Sequence, residues 1–114
     1  MNYYPITPVP KPSMTHADRW KNRPCVLRYF AFKDEVRLRK VTFDSGSIIT
    51  FHLPMPNSWS AKKKATMNGK PHKQTPDFDN LMKALSDSVY KDDSHISSIS
   101  IRKIWAYEGG ITIE

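Results

Sequence analysis

Asp77 and Asp79 stand two residues apart directly after Pro76, and Asp92 and Asp93 stand side by side further on. The stretch from Thr75 to Asp93 thus holds five of the eleven acidic residues of a chain whose net charge is +7. Carboxylates crowded in this way repel one another, and folding them close costs free energy unless a cation or protons neutralise them. Hard divalent ions such as Mg²⁺ take oxygen ligands, typically one or two carboxylates with waters and substrate phosphate. Phosphodiester hydrolysis uses that arrangement: a Lewis acid on the phosphate and a bound water made nucleophilic near neutral pH. Each cluster also has a plainer reading. One Asp of the first pair can cap a helix, worth about 1 kcal/mol, which leaves the second with no local task. Asp92-Asp93-Ser94, taken alone, reads as an ordinary polar turn. An EF-hand is excluded, because Met82 and Ser88 fall where that loop needs glycine and glutamate. His16, His52, His72, His95 and Cys25 lack zinc-ligand spacing. The four glycines build no phosphate loop, which argues against an ATPase.

The elements around these residues decide what they can reach. Pro76 suits an extended segment or the first turn of a helix. In an extended segment residues i and i+2 point the same way, so Asp77 and Asp79 are expected to reach one point. Phe78, Leu81, Met82, Leu85 and Val89 then follow the spacing of one buried helical face, predicting a helix over 78–90. Such a helix is about 18 Å long, so whether the two acidic clusters meet depends on the fold. Lys83 lies four residues after Asp79 on the same face. Spacing alone favours an ordinary ion pair of a few tenths of a kcal/mol; the functional reading sets its ammonium on the phosphate. Asn80 reads as a first-turn helix residue and Asp87 as a solvated helix position.

Before this stretch, residues 3–12 carry four prolines and read as an edge strand or extended arm. Residues 18–24 form a polar, basic turn, with Pro24 suited to the first helical position. Cys25, Tyr29, Phe32 and Val36 make a helical stripe that ends in the cationic run 37–40. Ile49, Phe51 and Leu53 share one face of a strand over 47–53, which Pro54 and Pro56 stop. Residues 57–75 read as a basic, flexible loop in which Lys62, Lys63, Lys64, Lys70 and Lys73 are candidate phosphate contacts. The plain reading of that run is a solvated loop, and Trp59 is read as its anchor in preference to a stacking platform. Ile99, Ile101, Lys103 and Trp105 alternate as a second strand, and Glu108-Gly-Gly110 predicts a hairpin returning through Ile111–Glu114. The expected architecture is α+β: one domain, 1–114, with a small mixed or antiparallel sheet and two main helices.

Composition narrows the class. At 114 residues, with three Trp, five Tyr and five Phe, the chain can bury a real core. A single cysteine allows no internal disulfide and suits a reducing compartment such as the cytoplasm. No run of eighteen apolar residues and no secretory signal pattern is present, so no membrane partner is expected. Eighteen Lys and Arg, fourteen of them within residues 11–40 and 62–73, favour a polyanionic partner.

The run Pro76-Asp-Phe-Asp-Asn-Leu-Met-Lys-Ala-Leu-Ser-Asp87, followed by Asp92-Asp93-Ser-His-Ile96, resembles the signature of RusA-type Holliday-junction endodeoxyribonucleases. The resemblance extends upstream to Pro8-Val-Pro-Lys-Pro12, Arg28–Lys33 and Pro56–Lys64. It implies a homodimeric, Mg²⁺-dependent enzyme, with Mn²⁺ as an alternative ion, that resolves four-way DNA junctions by paired nicks. It further implies catalytic and metal-binding roles for Asp77, Asp79 and Asp93, and a catalytic role for Lys83. Thr75 stands where many members carry a basic residue, with Lys73 close by. Family members of this size are often bacterial, phage or prophage proteins. A C₂ dimer also suits a junction of approximate two-fold symmetry, since it supplies two equivalent sites. Two other readings stand beside this one: a non-catalytic branched-DNA-binding protein, and a transferase using Asp-x-Asp for a nucleotide-sugar.

Overall fold

The computed structural model describes residues 1–13 and 23–114. Most of the basic turn read at 18–24, and His16, lie outside the described residues. Alternating apolar residues build the centre of a sheet: β2 (Ile48–Pro54) buries Ile49, Phe51 and Leu53 on one face, as its period of two dictates. Beside it run β3 (Ser100–Ala106) in parallel and β4 (Gly110–Ile113) antiparallel. The proline-rich start contributes β1 (Asn2–Tyr4), antiparallel to β4 at the edge, so the sheet is mixed with order β1-β4-β2-β3.

The alternation after Trp105 marks a strand correctly but misplaces its partner. β4 does not fold back on β3 as a hairpin; it crosses to the far side of β2. The outer edge of β3 is already taken. Gly69 and His72 donate backbone N–H groups to Trp105 and Lys103, and Trp105 donates to Lys70, each at 2.8–3.0 Å. A second hairpin strand has nowhere to pair there. Gly109 and Gly110 permit the crossing, because a Cβ at either position would run into Thr7 or Tyr3 of the N-terminal arm.

Three helices are described, one more than the two main helices expected. α1 (Pro24–Leu38) starts with Pro24 in the first turn and buries Val26, Tyr29, Phe32 and Val36. Its stripe therefore begins at Val26, and Cys25 is only half-buried. The stretch 57–75 is not a structureless loop, since Ala61–Met67 forms α2. Ser60 caps α2 by accepting from the Lys63 amide at 3.1 Å, satisfying one orphan donor. Trp59 packs on the buried Trp105 with centroids 4.7 Å apart, and His72 packs on Trp105 at 4.1 Å. These contacts tether the segment to β3.

α3 (Phe78–Val89) lies against α1 and the sheet, burying Leu81, Ala84 and Leu85 in the same core as Phe51, Ile49 and Ile111. Met82 and Val89 pack at the margin of that core. Phe78, placed by its spacing on the buried face, is instead 56% exposed. Asp87 is no solvated surface residue either: its Oδ2 accepts from Lys11 Nζ at 2.5 Å and from the Tyr29 hydroxyl at 3.2 Å. Lys11 also donates its amide to the Asn80 carbonyl at 3.0 Å, so the arm, α1 and α3 are fastened together.

Burial, reinforced by the Asp87 carboxylate, pushes the Tyr29 hydroxyl up to about 12. The neutral phenol is therefore favoured by folding. That stabilisation is present in full below the unfolded value near 10 and is lost as pH rises from about 10 to about 12. Urea melts across that window are expected to show Tyr29→Phe losing less stability than wild type, by about 1–3 kcal/mol. Parallel pH profiles would remove Tyr29 as the source.

Candidate functional site: an acidic and apolar cavity beside α3

All the candidate chemistry sits in the single connection between parallel strands β2 and β3, which parallel pairing requires to be long. Two contacts hold the entry to α3. Lys103 Nζ, on β3, donates to the carbonyls of Gln74 at 2.6 Å and Pro76 at 2.8 Å. Sequence reasoning placed Lys103 in the strand pattern and missed this task. An interior-facing cation among apolar strand residues was the available signal.

Helix α3 begins at Phe78, so Asp77 and Asp79 are not two residues of one extended segment. Asp77 occupies the N-cap in extended conformation, and Asp79 lies in the first helical turn. A helix turns by about 100° per residue, so positions two apart face different sides, and the two carboxylates line different depressions. Asp77 shares one with Lys11, Thr75 and Asn80; Asp79 opens onto another with Lys83 and Asp93. Asp77 makes no side-chain capping bond, so the helix-cap reading does not account for it.

The chain reverses after Val89 and returns along α3, and this brings the second acidic cluster partway back. Asp93 Oδ2 accepts a hydrogen bond from Ser86 Oγ, two turns after Asp79. Asp92 accepts from the Ser94 amide at 2.9 Å, a local turn bond that holds its carboxyl below the usual range. Of the adjacent pair, Asp93 is the one on the cavity wall. Ser86 is 8% exposed on the helix and was not singled out from the sequence. A serine at a position sharing α3's buried side was its only signal.

Lys83 lines the same cavity, its Nζ 3.9 Å from Asp79 Oδ2, with both side chains more than half exposed. As an ion pair this contributes little; as a cation on the wall of a shared cavity it suits a phosphate. The cavity they share has a volume of about 420 Å³, and Phe43, Met82, Ile99 and Ile101 supply apolar wall.

Asp77 does not line the cavity that Asp79 and Asp93 share. Among the described residues no group of three His, Cys, Asp or Glu is placed to hold a metal ion. Mg²⁺ demands less from the protein, commonly one or two carboxylates, with water and phosphate oxygens completing the shell. Asp79 and Asp93 line one open cavity and offer oxygen donors of the kind such an ion takes, whereas Asp77 lines another depression.

The basic segment presents its charge outward. Lys62, Lys63, Lys70 and Lys73 are exposed, Lys64 is half-buried, and Lys63 Nζ stands over the Trp59 ring at 4.2 Å. None of the five lysines forms an ion pair among the described residues. No described helix is long and apolar enough to cross a membrane.

Residues 26–114 match the family model described as endodeoxyribonuclease RusA. Comparisons with curated proteins and with solved structures return no match.

Proposed function

The chain belongs to the endodeoxyribonuclease RusA family, and on that premise we propose that it resolves four-way DNA junctions by divalent-metal-dependent, paired phosphodiester hydrolysis. The observation that carries this reading is the shared cavity of Asp79, Lys83 and Asp93, drawn from both ends of α3. Asp79 and Asp93 would hold the ion, with Mg²⁺ the expected metal. When bound, such an ion polarises the phosphate and lowers the pKa of a coordinated water. Lys83 neutralises charge that builds on the phosphate oxygens in the transition state. Ser86 holds the Asp93 carboxylate in one orientation, as outer hydrogen bonds to anionic ligands commonly do. Asp77, at the mouth of α3, completes the proposed acidic set by its match to the family signature.

The lysines of α2 and of residues 70–73 grip backbone phosphates without reading bases. A single domain of this kind cuts one strand, so paired nicks call for a homodimer with two equivalent sites. The absence of a disulfide suits work in a reducing cytoplasm of bacterial or phage origin.

The test is a four-way junction labelled on each strand in turn, incubated with and without Mg²⁺. Symmetric nicks that require Mg²⁺ are expected. An intact junction that is nevertheless bound tightly would favour the non-catalytic DNA-binding reading.

A further inference from the structure

The cavity beside the carboxylates is larger and more apolar than phosphate hydrolysis requires. A metal and a phosphate need oxygen ligands and cations, yet Phe43, Phe78, Met82, Ile96, Ile99 and Ile101 make up half of the twelve lining residues. At about 420 Å³ it falls in the range of sites for small organic groups, which are mainly apolar with a few placed polar atoms. Its polar lining residues are Ser97 and Ser98, together with Asp79, Lys83, Ser86 and Asp93. Phe78 is the next clue. It directly precedes Asp79, lines the same cavity, and leaves 56% of its surface in solvent. A large aromatic at a position whose spacing belongs to the core, held outside it, presents a free ring face.

We propose that this cavity receives one unstacked nucleobase of the nucleotide beside the cleaved phosphate, with Phe78 as its stacking surface. The inference rests on the nuclease reading above and deepens it. Three arguments select a base as the occupant. The cavity opens where Lys83 attracts a phosphate, and a base lies within one nucleotide's reach of that phosphate. Its lining combines apolar side chains with the hydroxyl-bearing Ser97 and Ser98, which suits a planar heterocycle with polar edges. The chain's net charge of +7 is complementary to a polyanion. The pocket also accounts for a preference for branch points. Extracting a base costs least where stacking and pairing are already interrupted, as at the crossover of a junction. An uninterrupted duplex would have to be unstacked first, so its phosphates would reach the carboxylates less often.

The experiment is a binding cycle in EDTA, with cleavage measured separately in Mg²⁺. Wild type, Phe78→Ala and Phe78→Trp are each titrated with an intact junction and with junctions carrying an abasic site at each crossover nucleotide in turn. Phe78→Ala is expected to weaken binding of the intact junction by roughly 5- to 100-fold, the span for losing one base–aromatic stack. On the junction abasic at the occupied position the same substitution should change affinity less than about two-fold, because the stack is already gone. Phe78→Trp should restore tight binding to the intact junction. Because Phe78 is largely exposed, the alanine variant is expected to keep its melting temperature, which is checked first. Equal losses on every junction, or none on any, would overturn the base pocket while leaving nuclease activity untouched. A coupled cycle in a protein that never nicks in Mg²⁺ would uphold the pocket and overturn the nuclease reading.

Discussion

Replacing Asp79 or Asp93 by Asn is expected to lower junction nicking in Mg²⁺ by at least about 100-fold, while affinity in EDTA holds steady or rises. The floor comes from outer-shell partners of metal ligands, whose loss alone costs 10–100-fold. A direct ligand should cost more, since the ion loses an anionic partner and the water loses part of its activation. Affinity moves the other way because each carboxylate is a unit of negative charge facing a polyanion. Removing it relieves repulsion of at most about 1 kcal/mol in a solvated, salt-screened site. Both side chains lie at the surface, so neither substitution disturbs the core. Asp77→Asn is expected to lower nicking too, by its match to the family signature. It has no side-chain capping bond to forfeit, so reduced cleavage there would report chemistry and not a frayed helix. Ser86→Ala should be milder, about 10-fold, as it frees Asp93 without removing it. Gel-shift affinity in EDTA beside nicking in Mg²⁺, on one junction, separates these outcomes. Near-normal cleavage by all three Asn variants would defeat the proposed centre.

The second large effect is electrostatic. Alanine at Lys62, Lys63 and Lys64 together is expected to flatten the log–log dependence of junction affinity on salt. The change is about 0.9 for each lysine that contacts a phosphate on a duplex arm, and near 2.7 if all three do. The substitutions leave α2 in place: alanine is the better helix former, and the Ser60 cap uses the Lys63 backbone amide, not its side chain. Lys63→Ala does surrender its position over the Trp59 ring, but the stacking of Trp59 on Trp105 remains to hold the segment on β3. The readout is therefore charge removed from an intact surface. A salt slope identical to wild type would take α2 off the DNA path.

Most of the elements and the family signature were legible from residue order, because each depends on local spacing. Burial of Ile49, Phe51 and Leu53 follows from a period of two, and burial of Leu81 and Leu85 from a helical period. The acidic clusters announced themselves because carboxylates seldom crowd in a basic chain without a cation to share. Pro24 and Ser60 sit where helix starts need them, though α2 itself was hidden by its polarity: a short helix with no buried residue has no apolar period to read.

What lay beyond the sequence is a matter of partners. Periodicity states which face of a strand is buried and not which strand lies beside it. Only the occupied edge of β3 shows why β4 pairs across β2. Likewise Asp-x-Asp specifies a spacing, but its geometry depends on where the helix begins. With α3 starting at Phe78, Asp77 and Asp79 open onto different depressions and Phe78 is turned out of the core. Asp93 reaches the cavity because the chain doubles back after Val89 and Ser86 meets it there. That juxtaposition depends on the packing of a return segment against a helix, which no local pattern encodes.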